Sequence, residues 1–267
     1  MSTPNDPFSV PHSARMYDYY LGGKDNYQVD RVAAEKVFEW WPGVRDAAQA
    51  NRAFMRRAIS HLVEEAGIRQ FLDIGTGIPT EPNLHQVAQG AAPECRIVYV
   101  DKDPLVLTHA ESLMRSTPEG RTTYIHADLV SELDDILASP QLAETIDRSE
   151  PVALSMLALL HFVTDEQGAH AIVRRLLDTL PAGSALLLSH VTPDFDAPAL
   201  RQVEEIYRRG GIPAQVRTRE EVARFFDGLD LVEPGITVPH RWRALASEST
   251  ELDARISAWA AVGIKRS

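Results

Sequence analysis

Three aspartates and a pair of glycines carry most of the chemistry that this chain displays. The stretch Gln70-Phe-Leu-Asp-Ile-Gly-Thr-Gly-Ile-Pro-Thr80 runs from apolar residues, suited to a buried parallel strand, into Gly75 and Gly77. Those glycines let the backbone turn sharply and approach a ligand with no Cβ in the way. A turn of this kind at the carboxyl end of a strand is where open α/β sheets bind ligands. Arg96-Ile-Val-Tyr-Val-Asp101 is a second strand-like run, ending in an acid roughly 20 to 30 residues after the glycines, where a ribose-binding carboxylate is expected. A third run, Thr122 to His126, leads into Ala127-Asp128-Leu129 and places an acid where an adenine amino group can donate to it. Alone, each aspartate reads as a solvated strand end or a helix cap. Asp73, Asp101 and Asp128 in register with one glycine turn read instead as a nucleoside pocket, flanked by Thr76, Lys102, Leu129 and Leu157.

The residues after the glycines narrow the choice of ligand. A dinucleotide fingerprint wants a third small residue, so that the next helix can pack closely and offer its N-terminus to a pyrophosphate. Thr80 stands there, preceded by Pro79. An adenosine compound without phosphate needs no such residue, and S-adenosylmethionine is one. A nicotinamide oxidoreductase is the disfavoured alternative.

Two further clusters lie outside this pocket in sequence. Ala14-Arg-Met-Tyr-Asp-Tyr-Tyr-Leu-Gly-Gly-Lys-Asp-Asn-Tyr27 crowds four tyrosines around a glycine pair. Tyrosines supply flat amphipathic surface, and Arg15 or Lys24 can meet a carboxylate. Arg15, Tyr19, Gly23 and Lys24 therefore join the candidate cofactor-binding residues, in an arm that would close over the cofactor; tyrosines packed on a sheet edge are the plainer reading. His161 follows the most apolar run, Pro151 to Leu160, and is the first candidate for a base or for orienting an acceptor, with Tyr17 the second.

The elements that must position these residues are set by periodicity. Asp30 to Trp41 and Ala47 to Ala66 are expected helices preceding the sheet, read as a cap over the cleft, although packing on the outside of the sheet gives the same pattern. After three strands come a weakly patterned helix over Leu133 to Ile146, a fourth strand, a helix opened by Thr164 and Gln167, and a fifth strand over Ala185 to Val191. Helices over Pro198 to Arg209 and from Thr218, then strands over 231–238 and 255–264, complete the pattern. This predicts an α/β, Rossmann-like class I methyltransferase fold, with a seven-stranded mostly parallel sheet, helices on both faces and a final hairpin. Residues 1–66 are expected to form the arm and helical cap, and 67–267 the cofactor-binding domain.

Composition sets bounds. The 267 residues are 44% hydrophobic and 24% charged, as in an ordinary globular protein. The formal charge of −11 argues against nucleic acid as a partner. No apolar run approaches the ~20 residues of a membrane helix, and residues 1–10 lack signal-peptide character, so no membrane partner and a cytoplasmic location are expected. Cys95 is the single cysteine, which leaves no internal disulfide, and no metal site is expected. Oligomeric state is left open, a homodimer included.

The chain resembles a family of bacterial S-adenosylmethionine-dependent methyltransferases long catalogued as a domain of unknown function. The resemblance rests on Ala14 to Tyr27, on Asn51-Arg-Ala-Phe-Met-Arg-Arg57, on Phe71 to Thr80, on Val98-Tyr-Val-Asp-Lys-Asp-Pro104 and on Leu160-His-Phe162. It implies S-adenosylmethionine binding, with Asp73, Gly75 and Gly77 at the methionine end, Asp101 on the ribose and Asp128 near the adenine. It implies no particular acceptor. A small molecule is expected by elimination and by the acidic charge; a non-catalytic S-adenosylmethionine-binding regulatory module is the alternative.

Overall fold

The computed structural model describes residues 9–106, 115–244 and 250–266. Its centre is a seven-stranded sheet made of β1 (Gln70–Ile74), β2 (Arg96–Asp101), β3 (Arg121–His126), β4 (Val152–Leu157), β5 (Ala185–Val191), β6 (Leu229–Leu231) and β7 (Ala258–Lys265), in the order β3-β2-β1-β4-β5-β7-β6. The first five strands are parallel, and β7 inserts antiparallel between β5 and β6. Strand order reverses between β1 and β4, which puts the carboxyl ends of those strands at the crevice where such sheets bind ligands.

Alternation along β1 divides the two faces. Leu72 and Ile74 join Val98, Val100, Leu154 and Leu186 on one face, whereas Phe71 joins Ile97, Tyr99, Ala153 and Leu187 on the other. The first face is covered by α5 (Leu133–Ala138), α6 (Pro140–Thr145) and α7 (Ala169–Asp178), and the second by α3 (Val44–Glu64) and α4 (Leu84–Ala91). A third cluster joins α1 (Ser13–Tyr20), α2 (Gln28–Trp40), the start of α3 and α8 (Ala197–Arg209), through Met16, Val37, Ala48, Leu200 and Val203.

Helix α3 departs from the expectation of a cap. Phe54, Ala58, Ile59 and Leu62 pack on the sheet, and only its first turns reach the third cluster. The single helix expected over 133–146 is two, because Pro140 cannot continue α5, and Ser139 caps α6 by accepting from the Leu142 N–H at 3.1 Å. The strand expected over 231–238 ends at Leu231, before Pro234 removes a ladder donor. Asp103 opens a helix at Pro104 by accepting from the Leu105 N–H at 2.9 Å; residues 107–114 lie outside the described residues. The helix α9 (Arg219–Ala223) starts at the expected Thr218–Glu221 capping box, and α10 (Thr250–Ile256) precedes β7. No helix among the described residues is long and apolar enough to cross a membrane.

Candidate active site

The glycine turn folds across the end of β2. Gly75 and Gly77 have φ of +70° and +69°, a region that L side chains seldom enter. Gly75 donates to the Val100 carbonyl at 2.8 Å, and the Gly77 N–H donates to Asp101 Oδ2 at 2.7 Å. A Cβ on Gly75 would lie 2.5 Å from the Leu159 side chain, so the turn and the loop after β4 are packed together. Pro79 and Pro82 delay the next helix, which begins only at Leu84 behind the cap Asn83.

The acids take distinct environments. Burial pushes the Asp73 carboxyl up to about 6, against the Ser155 hydroxyl and the Arg52 guanidinium, which pull it down. Asp101 is also raised by burial, opposed by the N–H groups of Asp103 and Gly77. Burial works to raise Asp128 too, but the Val130 N–H and Lys102, whose Nζ lies 3.2 Å away, hold it below its ordinary value. Asp73, Asp101, Lys102, Asp128 and Leu129 line one cavity with Gly75, Thr76, Gly77 and Leu157.

The N-terminal segment reaches this cavity, with Tyr17 among the residues singled out in sequence, but without the four proposed there as cofactor-binding. His12, Ala14 and Tyr17 line it; Arg15, Tyr19, Gly23 and Lys24 do not. Arg15 is buried beneath the arm, its Nε 3.3 Å from Asp30 and 4.0 Å from Asp103, and it donates to the Val10 carbonyl at 2.9 Å. Tyr19 donates to Glu35 at 2.5 Å on the outer side of α1. Gly23 is required by Asp18, whose carboxylate would overlap a Cβ there and which accepts from Asn26 at 2.7 Å and from the Asp25 N–H at 3.0 Å. Lys24 is exposed. The arm's conspicuous residues thus fasten it to α2 and to the loop after β2.

Besides Lys102, the cavity is lined by a cation that the sequence did not single out, Arg52 on α3. It donates to the carbonyls of Thr80 at 2.6 Å and Pro82 at 2.5 Å, and its charge bears on Asp73. Its sequence signal was its place in Asn51–Arg57, where nothing marks one arginine above the others. A second unforeseen feature is Ala158, held at φ +52° after β4, a strained conformation for a residue with a side chain. Its N–H donates to Ser189 Oγ at 2.8 Å, Ser189 donates to Asn51 at 2.6 Å, Asn51 donates to the Tyr17 hydroxyl at 2.9 Å, and Tyr17 donates to the Ala48 carbonyl at 3.2 Å. This chain ties β4, β5, α3 and α1 at the cavity wall. Burial raises the Tyr17 phenol, so at neutral pH it keeps the proton that it donates to the Ala48 carbonyl.

His161 lies on the 3-10 turn Leu160–Phe162. Its Nδ1 is sealed without a hydrogen-bond partner, which leaves Nε2 as the nitrogen on the cavity side. Burial and then the nearby Arg217 push the imidazole down to about 3. At that value it is neutral and a weak proton acceptor, able to orient a hydrogen-bonding group.

The cavity measures about 590 Å³, within the range of about 300–1,000 Å³ that holds a drug-sized ligand. Its donor set fits a ligand with an ammonium for Asp73, a carboxylate for Arg52, a diol for Asp101 and an amino-bearing ring by Asp128. A glycine floor lies between them.

Comparison with known proteins points the same way. A family model described as S-adenosyl methyltransferase matches residues 5–266. A DUF574 family protein from Streptomyces avermitilis is 47% identical over 97% of this chain and 98% of its own, with a TM-score of 0.91. A provisionally assigned methyltransferase from Thermobifida fusca is 36% identical over the whole of both chains, with the same TM-score of 0.91. Human N-acetylserotonin methyltransferase, solved with SAM, shares the fold at 14% identity and a TM-score of 0.50, over 96% of this chain and 64% of its own. No curated protein matches.

Proposed function

We propose, starting from a chain that belongs to the S-adenosyl methyltransferase family, that it transfers a methyl group to a small-molecule acceptor bound beside His161. The cofactor is S-adenosylmethionine, which supplies an electrophilic methyl group on a sulfonium. The observation that carries the proposal is the continuous cavity that joins Asp73, Arg52 and Asp101 at one end to His161 and Phe162 at the other. Asp73 takes the methionine ammonium, Arg52 its carboxylate, Asp101 the ribose hydroxyls, and Asp128 with Leu129 the adenine.

What the protein adds is alignment and dryness. Holding the acceptor in line can contribute about 7–11 kcal/mol in favourable cases. The helices α1 and α8 line the cavity beside the strand ends, with α2 packed against both, and the Ser189–Asn51–Tyr17 chain fixes the wall against which the acceptor is placed. A protein acting in the cytoplasm on a soluble metabolite fits the enclosed site. The test is turnover of a labelled methyl donor with fractionated metabolite extract: label in a small organic product is expected. Label in protein or nucleic acid alone would refute a small-molecule acceptor, and no label in any fraction despite cofactor binding would favour a regulatory module.

A further inference from the structure

The end of the cavity beyond Gly75 and Leu157 has a consistent character. Tyr20, Trp41, Phe162 and Tyr207 form its aromatic walls, with Phe162 and Tyr207 edge-to-face at 5.1 Å. The Tyr20 and Tyr207 hydroxyls bond to each other at 3.0 Å, and one of the two protons is used in that bond. Glu204, the carboxylate in this region, is engaged by the Val216 N–H at 2.8 Å and by Arg208 at 2.8 Å. The remaining titratable groups on this wall are Tyr17, His190 and His161.

Behind that wall sits a fully buried cation. Arg217 donates to the Leu160 carbonyl at 2.8 Å, to the Val163 carbonyl at 3.0 Å, to His190 Nε2 at 2.8 Å and to Asp165 Oδ1 at 2.6 Å. Two of these bonds hold the turn that carries His161. Because a guanidinium offers only N–H donors, His190 Nε2 accepts and its Nδ1–H donates to the Val191 carbonyl at 2.7 Å. Asp165 is half-exposed, where solvent screens it, whereas the guanidinium lies on the dry side. The field at this end is therefore positive, and both imidazoles are pushed down partly by Arg217.

An aromatic-walled pocket with a buried cation behind it and one presented imidazole nitrogen suits an aromatic oxyanion and disfavours an ammonium. Resting on the methyltransferase reading, we propose that the acceptor is a phenol or enol bound as its anion, its oxygen at His161 Nε2–H and Arg217 acting behind as a positioning residue. The hydroxyl proton leaves to solvent on binding. The oxygen lone pair then forms the bond to the methyl carbon while the carbon–sulfur bond breaks and its electron pair stays on sulfur, which gives a neutral ether and a neutral thioether.

The probe is 4-nitrophenol, whose anion absorbs in the visible, titrated with pH against protein saturated with S-adenosylhomocysteine. The bound probe is expected to ionise about one pH unit or more below the free one, a tenfold change in the phenolate ratio. Arg217→Met should abolish the shift. Since losing that clamp can also unfold the turn, His161→Phe and His161→Gln provide a second arm: the phenylalanine variant should lose most of the shift, and the glutamine variant, which keeps an N–H, should retain part of it. An unshifted or upward-shifted midpoint in the intact protein, a shift unaffected by His161→Phe, or methylation of 4-nitroaniline but not of 4-nitrophenol would overturn the proposal. Failure of S-adenosylhomocysteine to bind would overturn the methyltransferase reading beneath it, a separate result in the same cuvette.

Discussion

Asp73→Asn separates two consequences of one buried charge. The carboxyl is raised from 3.8 to about 6, chiefly by burial. Between those values the folded protein holds a proton that the unfolded chain has released, so stability falls as pH rises through this window and levels off above about 6. A displacement of roughly two units corresponds to about 3 kcal/mol of destabilisation at pH 8. Asparagine has nearly the same shape and no charge. The cofactor-free variant is therefore expected to be the more stable protein at pH 8, by about 5 °C or more in a chain of this size, and to lose the decline between pH 4 and 6.

Binding should move the other way. If Asp73 pairs with the methionine ammonium, removing one member of a buried, hydrogen-bonded charge pair costs about 2 kcal/mol or more, at least roughly thirtyfold in Kd. In the parent protein, affinity for S-adenosylhomocysteine should also fall about tenfold per pH unit below about 6, as the carboxylate takes up its proton; in the variant the profile should be flat. Differential scanning calorimetry of the free proteins and isothermal titration from pH 5 to 8 read both effects. A variant that melts lower at pH 8, or binds the ligand as the parent does with the same pH dependence, would refute the assignment. A variant that is merely misfolded could not show higher stability with weaker binding.

Three other outcomes are expected from the site. Arg52→Gln should weaken S-adenosylhomocysteine about tenfold or more and leave 5′-methylthioadenosine nearly unchanged, because only the former carries the amino-acid tail; equal losses for both, by calorimetry, would move Arg52 off the carboxylate. Gly77→Ala should cost about 1–2 kcal/mol from its φ of +69°, whereas Gly75→Ala adds overlap with Leu159 and about 1–3 kcal/mol more. Urea midpoints read the difference, and Leu159→Ala should recover part of the Gly75→Ala loss. Tyr17→Phe leaves the Asn51 Nδ2 amide without its acceptor and takes one donor from the Ala48 carbonyl, and should cost about 1–3 kcal/mol. It should leave the pH–rate profile from 6 to 9 unmoved, since the phenol is raised above its ordinary value.

The sheet and the meeting of Asp73, Asp101 and Asp128 at one cavity were legible because both are encoded locally. Phe71 to Ile74 and Arg96 to Asp101 are short apolar runs ending in punctuation, and an acid at a strand tip needs no knowledge of distant residues to be placed. The same locality explains the clean Thr218–Glu221 box. Where a fate depended on volume or reach, the pattern was silent. An apolar stripe on α3 is satisfied equally by a sheet or by other helices, and only the sheet fills most of it.

The arm shows why residue type is a poorer guide than residue partner. Its density of tyrosines, glycines and cations signals close packing and charge neutralisation, yet those needs can be met from inside the protein. Arg15 meets Asp30 and Asp103, one on α2 and the other after β2, and Gly23 makes room for Asp18. Neither acid advertises itself to Arg15 in sequence. Arg52 had the opposite history: an ordinary arginine in a helix, brought over Asp73 because α3 must lay Phe54 and Ala58 on the sheet, which turns the preceding residues toward the strand tips. The residue that lines the cavity is therefore chosen by the packing of its helix, and the family-specific segments mark the scaffold that does the choosing as much as the cavity wall.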